Sequence, residues 1–377
     1  EFPLYVISLD RFPAAKMEVE RQGFTGSSVP EKGQEVMIVR TSNMAFDVTD
    51  EVHPDTAELA CLAARIVGLD IAGIDLVCED ISKPLDVQRG AIVEVNAGPG
   101  LLMHIKPAVG QPRPVGEAIV DHLFEKDEDS RIPVVGVTGS RGKTPVARLI
   151  AHLSRLSGQY TGLACSEGVF LDGRQVETPE GTNWDAAERV LMNRSVEAAV
   201  FENGCRDILA DGTVYDRCSV GVVTNIDPEL HFGEFYIDAP EKVWNVFRTQ
   251  VDLVLSSGVA VLNAEDPAVV EMASLSDGDV IFFGVDGGAE AIVATRAEGR
   301  RAVFVKDEAI VLATGEAEEV LAPLARIHML ADGEAARPGV LPNLLAAIAG
   351  AWALDISPAL IRAGVLPYNP KAPLRGD

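Results

Sequence analysis

The sequence predicts an α/β protein in two parts, the second a doubly wound parallel sheet. Three observations carry this. After residue 132, short apolar runs alternate with amphipathic stretches, the pattern of strands buried on both faces with helices between them. A glycine-rich loop at 136–144 stands between one such strand and one such helix. The charged run EKDEDSR at 125–131 holds no apolar anchor and separates stretches of different pattern.

Taken in order, EFPLYVISLDRF at 1–12 reads as the middle of a strand and lacks the basic start and small-residue cleavage site of a signal peptide. In TAELACLAARIV, 56–67, Leu59, Ala63 and Ile66 fall at helical spacing. AGIDLVCED at 72–80 and AIVEVNA at 91–97 are strands. The loop between them has Pro84 and Gly90 as breakers, so the pair reads as a hairpin carrying acidic residues. A helix is expected at 115–124. Beyond the charged run, IPVVGVTG is a strand and VARLIAHLSRL at 146–156 a helix. Further strands are expected at 198–203, 220–225, 251–256, 259–264 and 280–285. The expected division is a first domain over 1–126, a linker at 127–132, a second domain over 133–368 and a tail at 369–377.

Composition narrows the function. The chain has 377 residues, 47% of them hydrophobic, enough for large cores. No apolar run approaches the roughly 18 residues of a membrane span. A formal charge of −25 repels nucleic-acid backbones and anionic membranes, so neither is an expected partner. Five cysteines without a CxxC pair suggest reduced thiols and a cytoplasmic location. The six histidines show no ligand spacing for zinc.

The loop GVTGSRGKT supplies Gly136, Thr138, Gly139, Ser140, Arg141, Gly142, Lys143 and Thr144. Glycines let the backbone curl so that its amides face a phosphate, here the amides of 139–144. Lys143, exposed and just inside the helix, would reach the terminal phosphates of ATP, and the Thr144 hydroxyl would bind Mg2+. Val137 stands where the strict pattern has glycine, a variant spacing. Arg141 fits either an assisting role or a solvated loop position. In the hairpin, side chains alternate, so Glu94 and Asn96 face one side and Asp75 can join them. Two carboxylates and an amide oxygen suit Mg2+, which keeps ATP phosphates in its shell.

These motifs resemble two known modules. GVTGSRGKT, then Glu202, then VVTNI at 222–226 and VLNAEDP at 261–267, are similar to the central domain of the Mur ligase family. That resemblance implies Glu202 and His231 as magnesium ligands and Asn263 and Asp266 at the nucleotide. Glu202 taken alone would fit a buried structural carboxylate equally well. GID at 73–75 with EVNAGPG at 94–100 resembles the C-terminal part of an ATP-grasp domain, which implies Asp75, Glu94 and Asn96 as metal ligands. One family joins these modules in this order, cyanophycin synthetase. DVTDEVHPD at 47–55, YDRCSVGVVTNI at 215–226 and AWALDISPALIRAG at 351–364 extend the likeness over nearly the whole chain.

The resemblance implies an ATP-dependent amide-bond ligase working through acyl phosphates. The first module would add aspartate to the backbone of a polypeptide primer and the second arginine to aspartate side chains, in a homo-oligomer when full length. It also implies an N-terminal domain, a first ATP-grasp half and a C-terminal Mur domain that this sequence does not contain. Several positions depart from the family pattern. TSNMAFD at 41–47 is short. One extra residue precedes His231, and without that insertion Leu230 takes the histidine position. Phe247 stands where Mur ligases carry a lysine that becomes carbamylated, and GVLPN at 339–343 keeps only Asn343 of a nucleotide-binding HNxxN motif. These departures leave open a ligase for another amino acid or polymer, and a nucleotide-binding scaffold whose second module is impaired.

Overall fold

In the computed structural model, contacts divide the chain into Glu1–Ser130 and Arg131–Asp377. The structure describes residues 9–10, 12–38, 45–126, 128, 130–178, 181–331 and 337–370. Apart from residues 9, 10 and 12, the strand expected at 1–12 lies outside them, as do the first four residues of the 41–47 loop and most of the tail.

Unit 1 contains helices α1 (Pro13–Arg21), α2 (Pro54–Val67), α3 (Leu102–Ile105) and α4 (Val115–Leu123), and strands β1 (Gly73–Val77) and β2 (Ala91–Asn96). Pro54 opens α2, and His53 caps it by accepting the Asp55 amide at 3.2 Å. Gly68, at φ 85°, closes it in the left-handed conformation that glycine tolerates. The helix forms as its spacing predicts, yet Leu59 and Ile66 stay 42% and 75% exposed. Strands β1 and β2 pair antiparallel, with Asp75 opposite Glu94 and Gly73 opposite Asn96.

Unit 2 is built on one sheet of eleven strands, in the order β13-β12-β11-β10-β9-β8-β3-β7-β4-β5-β6. Its centre comprises β3 (Val134–Thr138), β4 (Thr161–Cys165), β7 (Ala198–Glu202), β8 (Cys218–Val223), β9 (Val254–Asn263), β10 (Asp279–Asp286) and β11 (Arg301–Lys306), all parallel. Antiparallel strands extend both sides: β5 (Gly168–Leu171) and β6 (Arg174–Glu177) at one, β12 (Ala309–Thr314) and β13 (Ala317–Pro323) at the other. Helices α5 (Lys143–Leu156), α11 (Val340–Ala353) and α12 (Pro358–Val365) share a core with Val135, Val137, Val200 and Val222. On the other face, α6 (Trp184–Leu191), α8 (Pro240–Asp252), α9 (Pro267–Val270) and α10 (Glu290–Ala297) pack against Val134, Phe201 and Leu262. Short α7 (Cys205–Ala210) follows β7. This is the doubly wound arrangement expected, widened by antiparallel margins.

The structure corrects one strand boundary. The segment 251–256 is not a strand of its own: α8 runs through Asp252, and a single strand begins at Val254. Val243, Phe247, Gln250 and Val251 form the buried stripe of α8, and helical packing against the sheet overrides the local alternation in VDLVLS. Among the described residues no helix is long and apolar enough to cross a membrane.

Candidate phosphate and metal site

The central strands end together at one edge of the unit 2 sheet, where open α/β folds place their ligands. Thr138 ends β3, and Lys143 is the first residue of α5. The turn between them needs left-handed backbone at Gly139 (φ 132°) and Gly142 (φ 83°), which only glycine adopts without strain. A Cβ at Gly139 would overlap the Thr224 hydroxyl, and one at Gly142 the Asn343 carboxamide. Gly136 has a different reason: a Cβ there would overlap the Tyr215 hydroxyl and the Gln250 amide beneath the loop.

Lys143 is half-buried rather than exposed as expected, because its Nζ turns back to donate to the Gly139 carbonyl at 3.0 Å. Two of the amides expected to face a phosphate are also committed. Ser140 donates to the Asn225 carbonyl (2.9 Å) and Arg141 to Asn225 Oδ1 (3.1 Å). The TN segment therefore clamps the front of the loop. Thr224 Oγ1 donates to the Arg141 carbonyl (2.7 Å), the Asp227 amide donates to Ser140 Oγ (2.7 Å), and the Arg141 guanidinium pairs with Asp227 at 3.0 Å. Helix α5 still directs the positive end of its dipole at the turn.

Behind the loop, Thr144 Oγ1 lies 2.9 Å from Ser166 Oγ, and the Ser166 amide donates to Glu202 Oε2 at 2.9 Å. Ser166 follows β4, Thr144 opens α5, and Glu202 ends β7, so three neighbouring elements meet here. Glu202 is only 5% exposed, and among the described residues the one hydrogen bond to its carboxylate comes from Ser166. A buried carboxylate with no ion pair among the described residues is either neutral or matched by a cation. The Thr144 hydroxyl and the Glu202 carboxylate are hard oxygen donors that fit Mg2+. Among the described residues no three His, Cys, Asp or Glu side chains gather as a metal cage. Mg2+ is ordinarily held by one or two carboxylates together with phosphates. Nearby, burial raises the Asp207 carboxyl, a Thr182 hydrogen bond opposes it and the Glu202 charge adds to it. Burial pushes the Cys205 thiol up to about 11, against the opposing charge of Lys143. Sequence reasoning missed Ser166; the signal was its place just after an apolar strand, like Glu202.

Asn263 and Asp266 sit at the end of β9 and brace the TN segment. Asn263 Nδ2 donates to the Thr224 carbonyl (2.8 Å), and the Ile226 amide donates to Asp266 Oδ2 (2.7 Å). Asp266 also caps α9 through the Ala268 amide. Asn225, Trp244, Asn245, Asn263 and Asp266 line a cleft of about 900 Å³ beside them. Asn343 lies in the first turn of α11, against Gly142. His231 is exposed, its Nδ1 3.1 Å from the Glu229 carbonyl, and among the described residues no hydrogen bond or ion pair joins it to Glu202. Phe247 is 1% exposed, inside the apolar core on the α8 face.

In unit 1, cross-strand pairing puts Asp75 and Glu94 side by side on the face shared by Asn96, whose Nδ2 lies 3.4 Å from Asp75 Oδ2. Like charges directly opposite destabilise a strand pair, a repulsion a divalent cation would relieve. Asp75 and Asn96 line a cleft of about 800 Å³ with Pro99, His104 and His122. Elsewhere in this unit the Arg113 guanidinium binds both Asp47 and Asp50 at 2.7 Å.

Comparison with known proteins agrees with this architecture. The family model described as the Mur ligase middle domain matches residues 137–320. The cyanophycin synthetase of Geminocystis herdmanii is 38% identical over 372 residues, covering 97% of this chain and 42% of that protein. That of Nostoc sp. is 35% identical over 368 residues, covering 96% and 40%. The chain thus spans less than half the length of these relatives. A solved UDP-N-acetylmuramoyl-L-alanyl-D-glutamate–2,6-diaminopimelate ligase aligns with a TM-score of 0.46 at 15% identity, over 67% of this chain and 49% of its own. The chain therefore matches cyanophycin synthetases over nearly all of its own length, and residues 137–320 of its second unit match the Mur ligase middle domain.

Proposed function

We propose that unit 2 binds ATP with Mg2+ at the 136–144 loop and drives amide-bond formation. The γ-phosphoryl group passes to a substrate carboxylate, and an amine then attacks the acyl phosphate and releases phosphate. Lys143 and the free loop amides would hold the phosphates, while Thr144 and Glu202 would hold Mg2+, which neutralises charge developing on the transferred group. The observation that carries this reading is the linkage Thr144–Ser166–Glu202. It brings a loop hydroxyl and a buried carboxylate to one point beside the loop. Asn263, Asp266 and Asn343 would complete the nucleotide side, and by likeness to the Mur ligase central domain His231 would be a further metal ligand.

By likeness to its relatives, the substrates are those of a cyanophycin synthetase. Arginine would be added in unit 2, and aspartate in unit 1, where Asp75, Glu94 and Asn96 would hold the metal. ADP release with aspartate, arginine and a polypeptide primer tests this. Release that requires both amino acids supports it, and release with a different amino acid redirects the specificity. A second reading, a nucleotide-binding scaffold, is favoured by the burial of Phe247 in the apolar core. Tight ATP binding with no ADP release under any amino acid would establish it.

A further inference from the structure

Directly under the phosphate loop lies a buried polar cluster with no assigned role in binding or catalysis. Asn203, Tyr215 and Gln250 are 9%, 6% and 1% exposed. Asn203 Nδ2 donates to the Tyr215 hydroxyl at 2.5 Å and to Gln250 Oε1 at 2.7 Å, and the Tyr215 hydroxyl donates to Gln250 Oε1 at 2.9 Å. Gln250 Nε2 then reaches Cys218 Sγ at 3.4 Å. The cluster joins the end of β7, the segment before β8, helix α8 and β8 itself. Strand β3 gives way to it, since a Cβ at Gly136 would overlap both Tyr215 and Gln250.

Asn203 is the residue after Glu202, and it is fixed from three sides. Its amide donates to the Val137 carbonyl at 2.8 Å, its carbonyl accepts Thr138 Oγ1 at 2.9 Å, and its side chain is held by the cluster. Simple packing does not need these groups, because apolar side chains of the same shape would fill the core at little cost to stability. What directional bonds in a low-dielectric interior add is a fixed orientation. The orientation fixed here is that of the chain leaving β7, which sets where the Glu202 carboxylate points relative to Thr144.

We infer that Tyr215 and Gln250 are positioning residues of the phosphate–metal site, acting through Asn203 on Glu202. The inference rests on the proposed role of Glu202 as a metal ligand.

The test uses the intact chain with a non-hydrolysable ATP analogue and Mn2+, the metal followed by electron paramagnetic resonance. Tyr215→Phe and Gln250→Leu should each weaken Mn2+ in the nucleotide complex by about tenfold, the usual effect of losing an outer support of a metal ligand. Nucleotide affinity without metal should stay within about twofold, because the loop itself is untouched. Tyr215→Phe removes one oxygen and keeps the ring stacked on Phe201, so it yields folded protein even where Gln250→Leu does not. Unchanged Mn2+ affinity in Tyr215→Phe, with only a lower melting temperature, overturns the inference and leaves the cluster a packing element. Lys143→Ala separates the two claims. If it leaves nucleotide affinity unchanged, the loop is not the phosphate site, and the proposed function falls first.

Discussion

Asn343, in the first turn of α11, lies so close to Gly142, the last residue of the glycine loop, that a Cβ at 142 would take the space of its carboxamide. Gly142 also holds a left-handed φ of 83°. Gly142→Ala therefore meets two penalties: about 1–2 kcal/mol of backbone strain and displacement of α11's first turn. Nucleotide affinity should fall by at least about tenfold, the equivalent of some 1.4 kcal/mol. Adding Asn343→Ala removes the overlap but not the strain, so the double variant should recover part of the stability lost. Calorimetric melts and nucleotide titrations check both. Equal losses in the single and double variants would show that the Asn343 contact is unimportant.

Lys143→Ala is expected to separate binding from folding. Among the described residues the ammonium makes one hydrogen bond, to Gly139, so its loss should lower stability by only about 0.5–1.5 kcal/mol. If the loop positions ATP for transfer, arginine-dependent ADP release should fall by at least about 100-fold, the scale of losing one donor to developing transition-state charge. Aspartate-dependent release should survive. Turnover unaffected by the substitution would favour the scaffold reading for unit 2.

Much of this was legible because it is local. Strands β7, β8 and β10 are short apolar runs, and α5 follows its loop as the glycines and Lys143 announce. Asp75 and Glu94 are register partners because a hairpin with alternating side chains puts them there. The antiparallel margins were not legible. Arg174–Glu177 is exposed throughout and β13 nearly so, and without an apolar pattern they read as loop. The segment 251–256 misled because its alternation mimics a strand, while the residues that decide, Val243 and Phe247, lie in the preceding helical turns. Tyr215 and Gln250 acquire meaning only through partners 12 to 47 residues away, and Ser166, apart from its place just after an apolar strand, through partners 22 and 36 residues away.

The Asp47–Arg113 pair makes unit 1 acid-sensitive. The Arg113 guanidinium, and after it the Thr49 hydroxyl at 2.6 Å, hold the Asp47 carboxyl well below the usual carboxylate range. A carboxyl depressed in the folded state contributes stability above its unfolded pKa of about 3.9, and that contribution is lost as pH falls toward the folded value. Wild-type unit 1 should therefore loosen below about pH 4, and Asp47→Asn should be less stable at neutral pH but nearly level between pH 5 and 3. All three tryptophans, Trp184, Trp244 and Trp352, belong to unit 2, so indole fluorescence does not report on this. Amide hydrogen exchange of peptides covering 45–113 does. A wild-type exchange profile that stays flat from pH 6 to 3, after correction for intrinsic rates, would rule the pair out as the cause.

Phe247 bears most directly on whether unit 2 turns over. Mur ligases carry a lysine at this place in the pattern, and restoring it is the obvious repair. The geometry argues against success. Phe247 is 1% exposed on the sheet-facing stripe of α8, in one apolar core with Val243, Val246 and Val251. Phe247→Lys would remove an aromatic side chain from a packed interior, where truncation alone costs about 3–5 kcal/mol. It would also bring an ammonium into surroundings that penalise charge heavily unless it is paired. The variant should melt well below wild type at pH 7 and recover partly at high pH, where the lysine can enter neutral. Arginine-dependent ADP release should not rise. Phe247→Leu, which keeps the site apolar, should leave turnover within about twofold and cost about 1–3 kcal/mol in stability, less than full truncation of the ring. A stable Phe247→Lys protein with increased, bicarbonate-dependent turnover would show instead that α8 can present a carbamylated side chain to the metal, and that the native module is impaired by the phenylalanine.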